Sequence, residues 1–272
     1  MLPETMPVCP VRGSVIYPTM VMPIDAGRPI SIRAIDEALA RDRVLLIVSQ
    51  RDKEVETPRP SDLFEVGTAC NILKMRKNPD GSVQVLVQAF ARVRVREWLD
   101  LGDHLEARGE VLADEPGEPI LVKALVREVK DKFQALLKEG KYLAPEVAQF
   151  ILNLEDPSQL ADYVAFHMDF RLEDKQKVLE TANVAERLRA VLVLLEAELA
   201  LIETQRRIQQ QVKEEIDRNQ REYFLREQMK AIQRELHGEE GEQEVEEFRR
   251  KLEALDLPPV VRQEVERELN RF

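Results

Sequence analysis

The longest regular pattern of apolar and polar positions is helical and lies in the second half of the chain. No glycine or proline occurs from Ser158 to His237, and the 54 residues from Asn183 to Leu236 predict one continuous helix. At a rise of about 1.5 Å per residue, this helix is about 80 Å long, more than a domain of this size needs to cover its own core. We therefore expect part of the helix to project.

Apolar positions divide this helix into three parts. Up to about Ile202 they recur at intervals of three and four residues, which predicts a face packed on a core. From Glu203 to Glu222 the surface is polar, with a thin seam of Ile208, Val212 and Ile216. The tip of the helix, residues 219–232, is again more apolar and contains Tyr223, Phe224, Leu225 and Met229.

The pattern from Met6 to about Val111 is typical of short strands. Prolines divide the start of the chain into segments too short for helices, and valines and isoleucines favour strands. Ser31 is the predicted cap of one intervening helix. The apolar run from Val44 to Val48 predicts a strand that is buried on both faces.

The clearest β signal is a hairpin from Thr68 to Ala89, around the turn Asn78-Pro79-Asp80-Gly81. Further strands are predicted at 91–96 and 104–111, and together they predict a small, twisted, partly closed sheet or barrel. Arg92, Arg94 and Arg96 alternate with apolar residues and therefore share one face of their strand. We predict a solvated face paired with carboxylates; the alternative is contact with a polyanion.

Helical periodicity begins after a turn-rich segment at 114–119, which is the predicted domain boundary. The predicted helices of the following bundle begin near Val122, at Pro145 and at Asp156-Pro157. Asn183, with Glu186 three residues later, is the predicted N-cap of the long helix.

These patterns together predict an α+β fold with a β-rich partly closed barrel, a helical bundle and one long projecting helix. The predicted domains are 1–115 for the β-rich part, 120–202 for the bundle and 203–237 for the projecting part of the long helix. Residues 239–272 are predicted to be a flexible acidic joint and further helices. The last helix, Val260 to Phe272, stops in mid-pattern, so we expect this chain to be the front part of a longer protein.

The composition of the chain limits the kinds of partner that we expect it to bind. The formal net charge of −11 over 272 residues argues against extensive wrapping of a phosphate backbone, although it leaves room for a local basic patch. Cys9 and Cys70 have no paired spacing, so neither a disulfide framework nor a cysteine zinc site is expected. No stretch approaches 18 uninterrupted apolar residues, and no signal peptide is evident. We expect a soluble, cytoplasmic protein that does not bind a membrane.

The chain lacks the residue patterns that enzymes use. No glycine-rich loop has the spacing of a phosphate cradle, and no serine lies in a nucleophile elbow. His104, His167 and His237 are too scattered to predict a metal site, and His167 is expected to be a core or boundary residue. Cys9 is expected to be a small buried hydrophobe. We predict no catalytic, cofactor-binding or metal-binding residue within this chain.

Three groups of residues carry a family resemblance. The tip sequence from Asn219 to Ile232 resembles the segment of Lon proteases that precedes their ATPase module. The opening resembles the start of the same family through Pro7 to Arg12, Val15 to Pro18 and Gly27 to Ser31. The third group comprises Leu160 to Asp162, Lys175 to Glu180 and Glu186 to Leu188. The matches follow the family's order and cover nearly the whole chain.

This resemblance implies the amino-terminal substrate-recognition region of a Lon protease. The implied architecture is a β-rich domain similar to the PUA fold, a helical bundle, and a long helix leading to an ATPase ring. Full-length Lon proteases are homohexameric, ATP-dependent serine proteases that need magnesium, with a Walker motif and a Ser-Lys dyad. Neither motif is in this sequence, so the enzyme function belongs to the full-length parent that the resemblance implies.

The tip residues Tyr223, Phe224, Leu225 and Met229 are our candidates for contact with unfolded substrate or a neighbouring subunit. The alternative is that they pack within the chain, against Val245, Phe248 and Leu252. The seam of Ile208, Val212 and Ile216 is predicted either to pair with the same helix of another subunit or to pack against a segment at 245–256 that returns along the helix.

A second candidate contact is the proline-bounded loop that contains Met20, Val21 and Met22. At least one of the three is expected to be exposed, and the alternative is that they fill the structure beneath an edge strand. Two other functions remain open at this point. One is a nucleic-acid-binding module that uses the three arginines, and the other is a structural spacer that sets the distance between subunits.

Overall fold

The structure is a computed structural model that describes residues 2–139, 143–255, 261–263 and 265. It divides into two compact units, Met1–Ile202 and Glu203–Phe272. The first unit contains a sheet and most of the helices, and the second consists largely of one helix. The first ends at Ile202, where the apolar stripe of the long helix thins.

A six-stranded mixed sheet forms one part of the first unit. Its strands are β1 (Met6–Val11), β2 (Val21–Ala26), β3 (Val44–Ser49), β4 (Val66–Lys77), β5 (Val83–Asp100) and β6 (Leu105–Val111). Their order is β2-β5-β4-β3-β1-β6, and β5 also pairs with β6. The β1–β3 pair is parallel and the other pairs are antiparallel.

This sheet is not a clean barrel, but the pairing of β5 with β6 closes it partly on itself, as the sequence predicts. Strand β5 pairs with β2 through residues 83–88 and with β6 through residues 93–100. Its two halves therefore pair with different strands, in addition to β4. Register shifts, one between Ala69 and Cys70 opposite β5 and one between Val95 and Glu97 within it, let the long strand bend instead of breaking. The predicted strands on either side of Phe90 are therefore a single strand.

Other strand predictions are confirmed. β3 is buried along its whole length, as expected for a strand covered on both faces. Strands β4 and β5 form the predicted hairpin, in which Gly81 has a φ of 85° and its N–H donates to the carbonyl of Asn78 at 3.1 Å. A side chain at this left-handed position is strained, so the turn requires glycine.

Helix α1 (Pro29–Ala40) connects β2 to β3, and its start differs from the prediction. Pro29 occupies the first turn and Arg28 is at the N-cap position, without a side-chain cap. Ser31 lies inside the helix and is buried, so its prediction as the cap is wrong. Proline at the first position makes an early start favourable, because its φ is already helical and its missing N–H would have had no partner there.

Five further helices follow the sheet. They are α2 (Pro119–Lys138), α3 (Pro145–Leu152), α4 (Pro157–His167), α5 (Leu172–Glu180) and α6 (Val184–Glu253). The predicted cap of α6 is confirmed, since the Asn183 side chain accepts from the N–H groups of Ala185 and Glu186 at 3.1 and 3.2 Å. Helix α5 was not predicted, because only Val178 and Leu179 give it a buried apolar face.

The sheet and the helices share a core instead of forming the separate domains predicted at 1–115 and 120–202. Val15, Tyr17, Met20 and Val66 belong to the same buried cluster as the apolar faces of α2 to α6. The Tyr17 hydroxyl donates to the carbonyl of Lys175 at 2.8 Å, which joins the sheet side to α5. Residues 1–202 are accordingly one compact unit.

The turn-rich segment at 114–119 is fixed against the start of α6. The backbone of Glu115 donates to the carbonyl of Ala182 and accepts from the N–H of Val184, both at 3.0 Å. A Cβ on Gly117 would lie 2.6 Å from the Cβ of Ala185, so this close approach requires glycine. The segment is polar and rich in turn formers because it is tightly packed, and it is not a linker.

A buried cluster of charges lies where these elements meet. Arg92 of β5 donates to both carboxylate oxygens of Asp162 in α4 at 2.5 Å, and to Asp114 at 3.1 Å. Arg187 of α6 donates to Asp114 at 2.7 Å and to the Ser158 hydroxyl at 2.7 Å. Arg187 also donates to the carbonyl of Thr181, and the Ser158 hydroxyl donates to Asp114.

Burial and charge pairing shift the pKa values of the two carboxyl groups of this cluster in opposite directions. Burial raises the pKa of Asp162 to about 6, against the opposing effects of Arg92 and Arg187. Burial also acts to raise the pKa of Asp114, but hydrogen bonds from Arg187 and Ser158 and the charge of Arg92 outweigh it, and the net shift is downward.

Helix α6 continues beyond the predicted joint. It runs through Gly238 and Gly241 to Glu253, so the acidic run at 239–244 lies within a helix and not in a break between helices. A glycine costs only about 1 kcal/mol in a helix, and the surrounding glutamates are good helix formers. Most of the predicted last helix, Val260 to Phe272, lies outside the described residues.

We expect the variant R187M to lower the free energy of unfolding by about 3 kcal/mol or more, because it leaves Asp114 and several polar groups without their main donor and removes one of the two cations beside buried Asp162. Urea denaturation followed by the fluorescence of Trp98, the single tryptophan, measures this change. The control is R189M, two residues further along the same helix at an exposed position, for which we expect a change below about 0.5 kcal/mol. Equal effects of the two substitutions would contradict the stabilising role of the cluster.

The pKa of Asp162 predicts a pH dependence of stability. The pKa of Asp162 is raised in the folded state from 3.8 to about 6. Between these two pH values, the folded chain binds a proton at Asp162 that the unfolded chain does not. The resulting stabilisation is fully present below the unfolded pKa and is lost as the pH rises through 6. Between pH 7 and pH 5, the unfolding free energy of the natural chain should rise relative to that of D162N by about 1 kcal/mol.

The variant D131N, at an exposed position of α2, is the control for this titration and should follow the natural chain. If the unfolding free energy of the natural chain instead fell relative to that of D162N between pH 7 and pH 5, the guanidinium groups would outweigh burial in setting the pKa of Asp162.

Candidate functional site

The four predicted tip residues are exposed. The exposed fractions are 68% for Tyr223, 61% for Phe224, 52% for Leu225 and 63% for Met229. All four lie on α6 in the second compact unit. Large apolar side chains on a polar surface are the usual signature of a binding site for other proteins.

Polar pairs along the helix surface stabilise this part of α6. Gln210 donates to Glu214 at 3.0 Å, Arg218 lies 3.6 Å from Glu222, and Lys230 lies 3.1 Å from Glu227. Each pair is three or four residues apart and adds a few tenths of a kcal/mol to the helix. The sequence therefore favours a helix here without any need to bury the apolar residues.

Helix geometry separates the exposed apolar residues into two stripes. At about 100° per residue, the first stripe spans an arc of about 80°. It consists of Ile208, Val212, Ile216 and Tyr223. The second stripe spans about 60° on a different side of the helix and consists of Leu225, Met229 and Ile232. Phe224 lies between the two stripes. The tip is therefore not a single patch, since its residues face in different directions, as expected for three successive bulky residues about 100° apart on a helix.

The alternative of packing within the chain is wrong. Phe248 and Leu252 belong to the same continuous helix as the tip, and within the described part of 245–256 no returning segment folds back onto the seam. Phe248 is 25 positions beyond Tyr223, which corresponds to about 38 Å along a helix. Phe248 is also exposed.

Met20, Val21 and Met22 do not form one surface. Met20 is buried in the core shared with the helices, and Met22 packs against the core on the α1 side of the sheet. Val21, the first residue of β2, is 54% exposed. The expectation of at least one exposed residue is confirmed, and the two methionines fill the structure. In the described part of the chain β2 pairs only with β5, and Pro23 within β2 is typical of an edge strand.

The three alternating arginines of β5 have three different environments. Arg92 is buried in the charge cluster, so the prediction of a solvated side chain is wrong for this residue. Arg96 is exposed and pairs with Glu110. Arg94 is half-buried. Helix α4 covers one end of the arginine face, which strand periodicity alone does not reveal. Only two arginines of this face are accessible to a polyanion.

Arg94 and Arg96 lie in a polar groove of about 590 Å³. Its walls come from β4, β5 and α5, and it includes Gln176 and Lys177 of α5. The groove could not be predicted from periodicity, because α5 itself was not predicted. The resemblance to Lon proteases across Lys175 to Glu180 was the one signal in that region.

The described residues offer no arrangement for catalysis by cysteine, histidine or a metal ion. Burial raises the pKa of the Cys9 thiol to about 11, and burial also raises the pKa of Cys70, so both thiols stay protonated. Burial and the nearby Lys175 lower the pKa of half-buried His167, a boundary residue as expected. No cluster of three metal-binding side chains occurs within the described ranges. Among the helices of these ranges, none is long and apolar enough to cross a membrane.

Comparison with known proteins identifies the family. Residues 5–197 match the family model described as the ATP-dependent protease La (LON) substrate-binding domain. This chain belongs to that family, and the resemblance found in the sequence is confirmed. The match covers the sheet, helices α2 to α5 and the start of α6.

Relatives extend the match over nearly the whole chain. The chain is 39% identical over 267 residues to the Lon protease of Escherichia coli, and 42% identical over 271 residues to Lon protease 1 of Thermus thermophilus. Each alignment covers 98% of this chain and 34% of the relative. The chain therefore spans about one third of the length of these relatives.

A solved structure confirms the fold of the first unit. The N-terminal domain of the Mycobacterium avium complex Lon protease matches with a TM-score of 0.59 and 27% sequence identity. The alignment covers 71% of this chain and 98% of that domain. The mixed sheet and its helices thus have the fold of a Lon N-terminal domain.

Proposed function

We propose that this chain is the substrate-recognition region of an ATP-dependent Lon-type protease, and that it engages unfolded or damaged proteins for delivery to ATPase and protease modules. The single observation that carries the proposal is the exposure of Tyr223, Phe224, Leu225 and Met229 in a chain of the Lon substrate-binding family. Unfolded proteins differ from folded ones in showing apolar side chains, which such a surface can bind without a defined sequence.

The chemistry of the tip suits this role. Aromatic side chains bury a large apolar area at little cost in conformational entropy, and methionine adapts its shape to different partners. The residues face several directions on a narrow helix, so an extended chain can meet one of them from almost any side. The polar surface between them keeps the free helix soluble.

The catalytic steps belong to the rest of the proposed protein. In this proposal, ATP and magnesium bind the ATPase module, a serine protease module cuts the substrate, and six copies assemble in the cytoplasm. This chain contributes binding and orientation of the substrate. Among Met20, Val21 and Met22, the main contribution comes from exposed Val21, because Met20 is buried and Met22 is half-buried against the core.

We expect the triple variant Y223S/F224S/M229S to bind an unfolded client at least tenfold more weakly than the natural chain, because it removes the largest exposed apolar side chains of the tip. Fluorescence anisotropy with reduced, iodoacetamide-alkylated α-lactalbumin measures the affinity. The matched control is I120S/V193S/L201S, which removes three exposed apolar side chains from outside the tip.

In the full-length protease, the tip variant should slow degradation of the unfolded protein more than hydrolysis of a short peptide. Unchanged rates on both substrates would contradict the role of the tip.

A second candidate function is subunit spacing through the seam. The three β-branched seam residues, Ile208, Val212 and Ile216, lie four residues apart on one exposed face of α6. This arrangement suits pairing with the same helix of another copy, which would bury the seam.

For this candidate we expect V212K to shift the chain from a dimer towards a monomer, because it places a charge in the middle of the paired seam. Sedimentation equilibrium over a range of concentrations measures the change. Q210K adds the same charge on the opposite side of the helix and should leave self-association unchanged. A natural chain that stays monomeric at about 100 μM would exclude the seam as a dimer contact for the isolated chain.

A further inference from the structure

The polar groove between the sheet and α5 contains one cation that differs from its neighbours. Arg51 lies over the ring of Phe64 at 4.5 Å and donates to the carbonyl of Leu63 at 3.0 Å. Arg96 pairs with Glu110, and Lys177 lies 3.8 Å from Asp174. The side chain of Arg94 has no ion pair and no hydrogen bond among the described residues, although Arg94 lies opposite Glu110 of β6 and its charge helps to lower the pKa of that carboxyl.

A buried acceptor that has no donor among the described groups lines the same groove. Gln176 is 1% exposed, and its Nε2 donates to the carbonyl of Val66 at 2.8 Å and to Glu180 at 2.9 Å. Both partners are acceptors, which fixes the orientation of the amide and leaves Oε1 without a donor among the described groups. Val66 and Arg94 are directly opposite each other in the β4–β5 register. The unpaired cation and the unsatisfied acceptor therefore belong to the same part of the groove.

These two groups define the chemistry of a ligand. A guanidinium that lacks an ion pair selects a carboxylate or another anion, and a buried amide oxygen selects an N–H donor. An extended polypeptide supplies both, through an acidic side chain or its C-terminus and through its backbone amides. A nucleic acid fits less well, because Glu65, Glu173 and Glu180 also line the groove and would repel a chain with a charge on every residue.

We propose that this groove binds an extended polypeptide segment that carries a carboxylate, with Arg94 pairing with the carboxylate and Gln176 Oε1 accepting a backbone N–H. The inference rests on the proposed function in that the occupant is a polypeptide. It adds a preference for acidic segments, at a site separate from the apolar residues of α6.

The test uses the full 272-residue chain and two fluorescein-labelled nonapeptides with amidated C-termini. One peptide has a single glutamate at its centre, and the other has glutamine in its place. By anisotropy, the natural chain should bind the glutamate peptide at least fivefold more tightly than the glutamine peptide. The variant R94Q should bind both peptides equally, whereas R76Q, which removes an exposed arginine of β4 outside the groove, should keep the preference.

The role of Gln176 is tested by changing the peptide, because a substitution of Gln176 would also remove its hydrogen bond to the carbonyl of Val66. Glutamate peptides in which one backbone amide is replaced by an ester lack one N–H donor. At least one of them should bind the natural chain several-fold more weakly.

Three outcomes of the peptide experiments would overturn the inference: no preference in the natural chain, a preference that survives in R94Q, or an ester series without any loss of affinity. Binding of a single-stranded oligonucleotide that depends on Arg94 and displaces the glutamate peptide would instead make the groove a nucleic-acid site, and would also overturn it. If the peptide preference is absent while Y223S/F224S/M229S still loses binding of unfolded α-lactalbumin, the groove inference fails and the proposed function stands.

Discussion

The paired charges of Arg92, Asp162, Arg187 and Asp114 fix the relation between the sheet and the helices of the first unit. Arg92, Asp162 and Arg187 are buried and Asp114 is partly exposed. Removing charged groups from water is expensive, and the cost is offset only when each group meets opposite charges and hydrogen-bond partners in one geometry. That geometry requires β5, the segment after β6, α4 and the start of α6 to meet at one point. An apolar core tolerates small shifts between elements, whereas a buried ion cluster does not.

The cluster also determines which surfaces remain for binding. Arg92 is committed to Asp162, so the face of β5 that could attract a polyanion retains only Arg94 and Arg96. Helix α5 packs next to these two arginines and turns an open sheet face into a groove. The same packing places Gln176 beside Val66 and leaves its amide oxygen without a donor among the described groups. A structural constraint therefore gives rise to a candidate site for polypeptide segments.

The second unit is stabilised in a different way from the first. The described part of α6 from Glu203 onward buries no large apolar side chain, and polar pairs along the helix stabilise it. Because this surface does not contribute to a core, its apolar residues are available to partners. In the function proposed above, this surface recognises other proteins.

The sequence by itself determined the local features. The helix starts at Pro145 and Pro157, the Asn183 cap, the Asn78–Gly81 turn and the apolar run of β3 depend on neighbours within a few residues, and each was predictable for that reason. The spread of the tip residues around the helix was also predictable, because three successive bulky residues cannot share one helix face, whereas the sequence left open whether they pack within the chain. Only the tertiary structure decided which charges are buried, how β5 divides between β2 and β6, and that α5 forms a groove with the sheet. These features depend on contacts between residues as far apart as Arg92 and Asp162, and periodicity carries no information about such distant pairs.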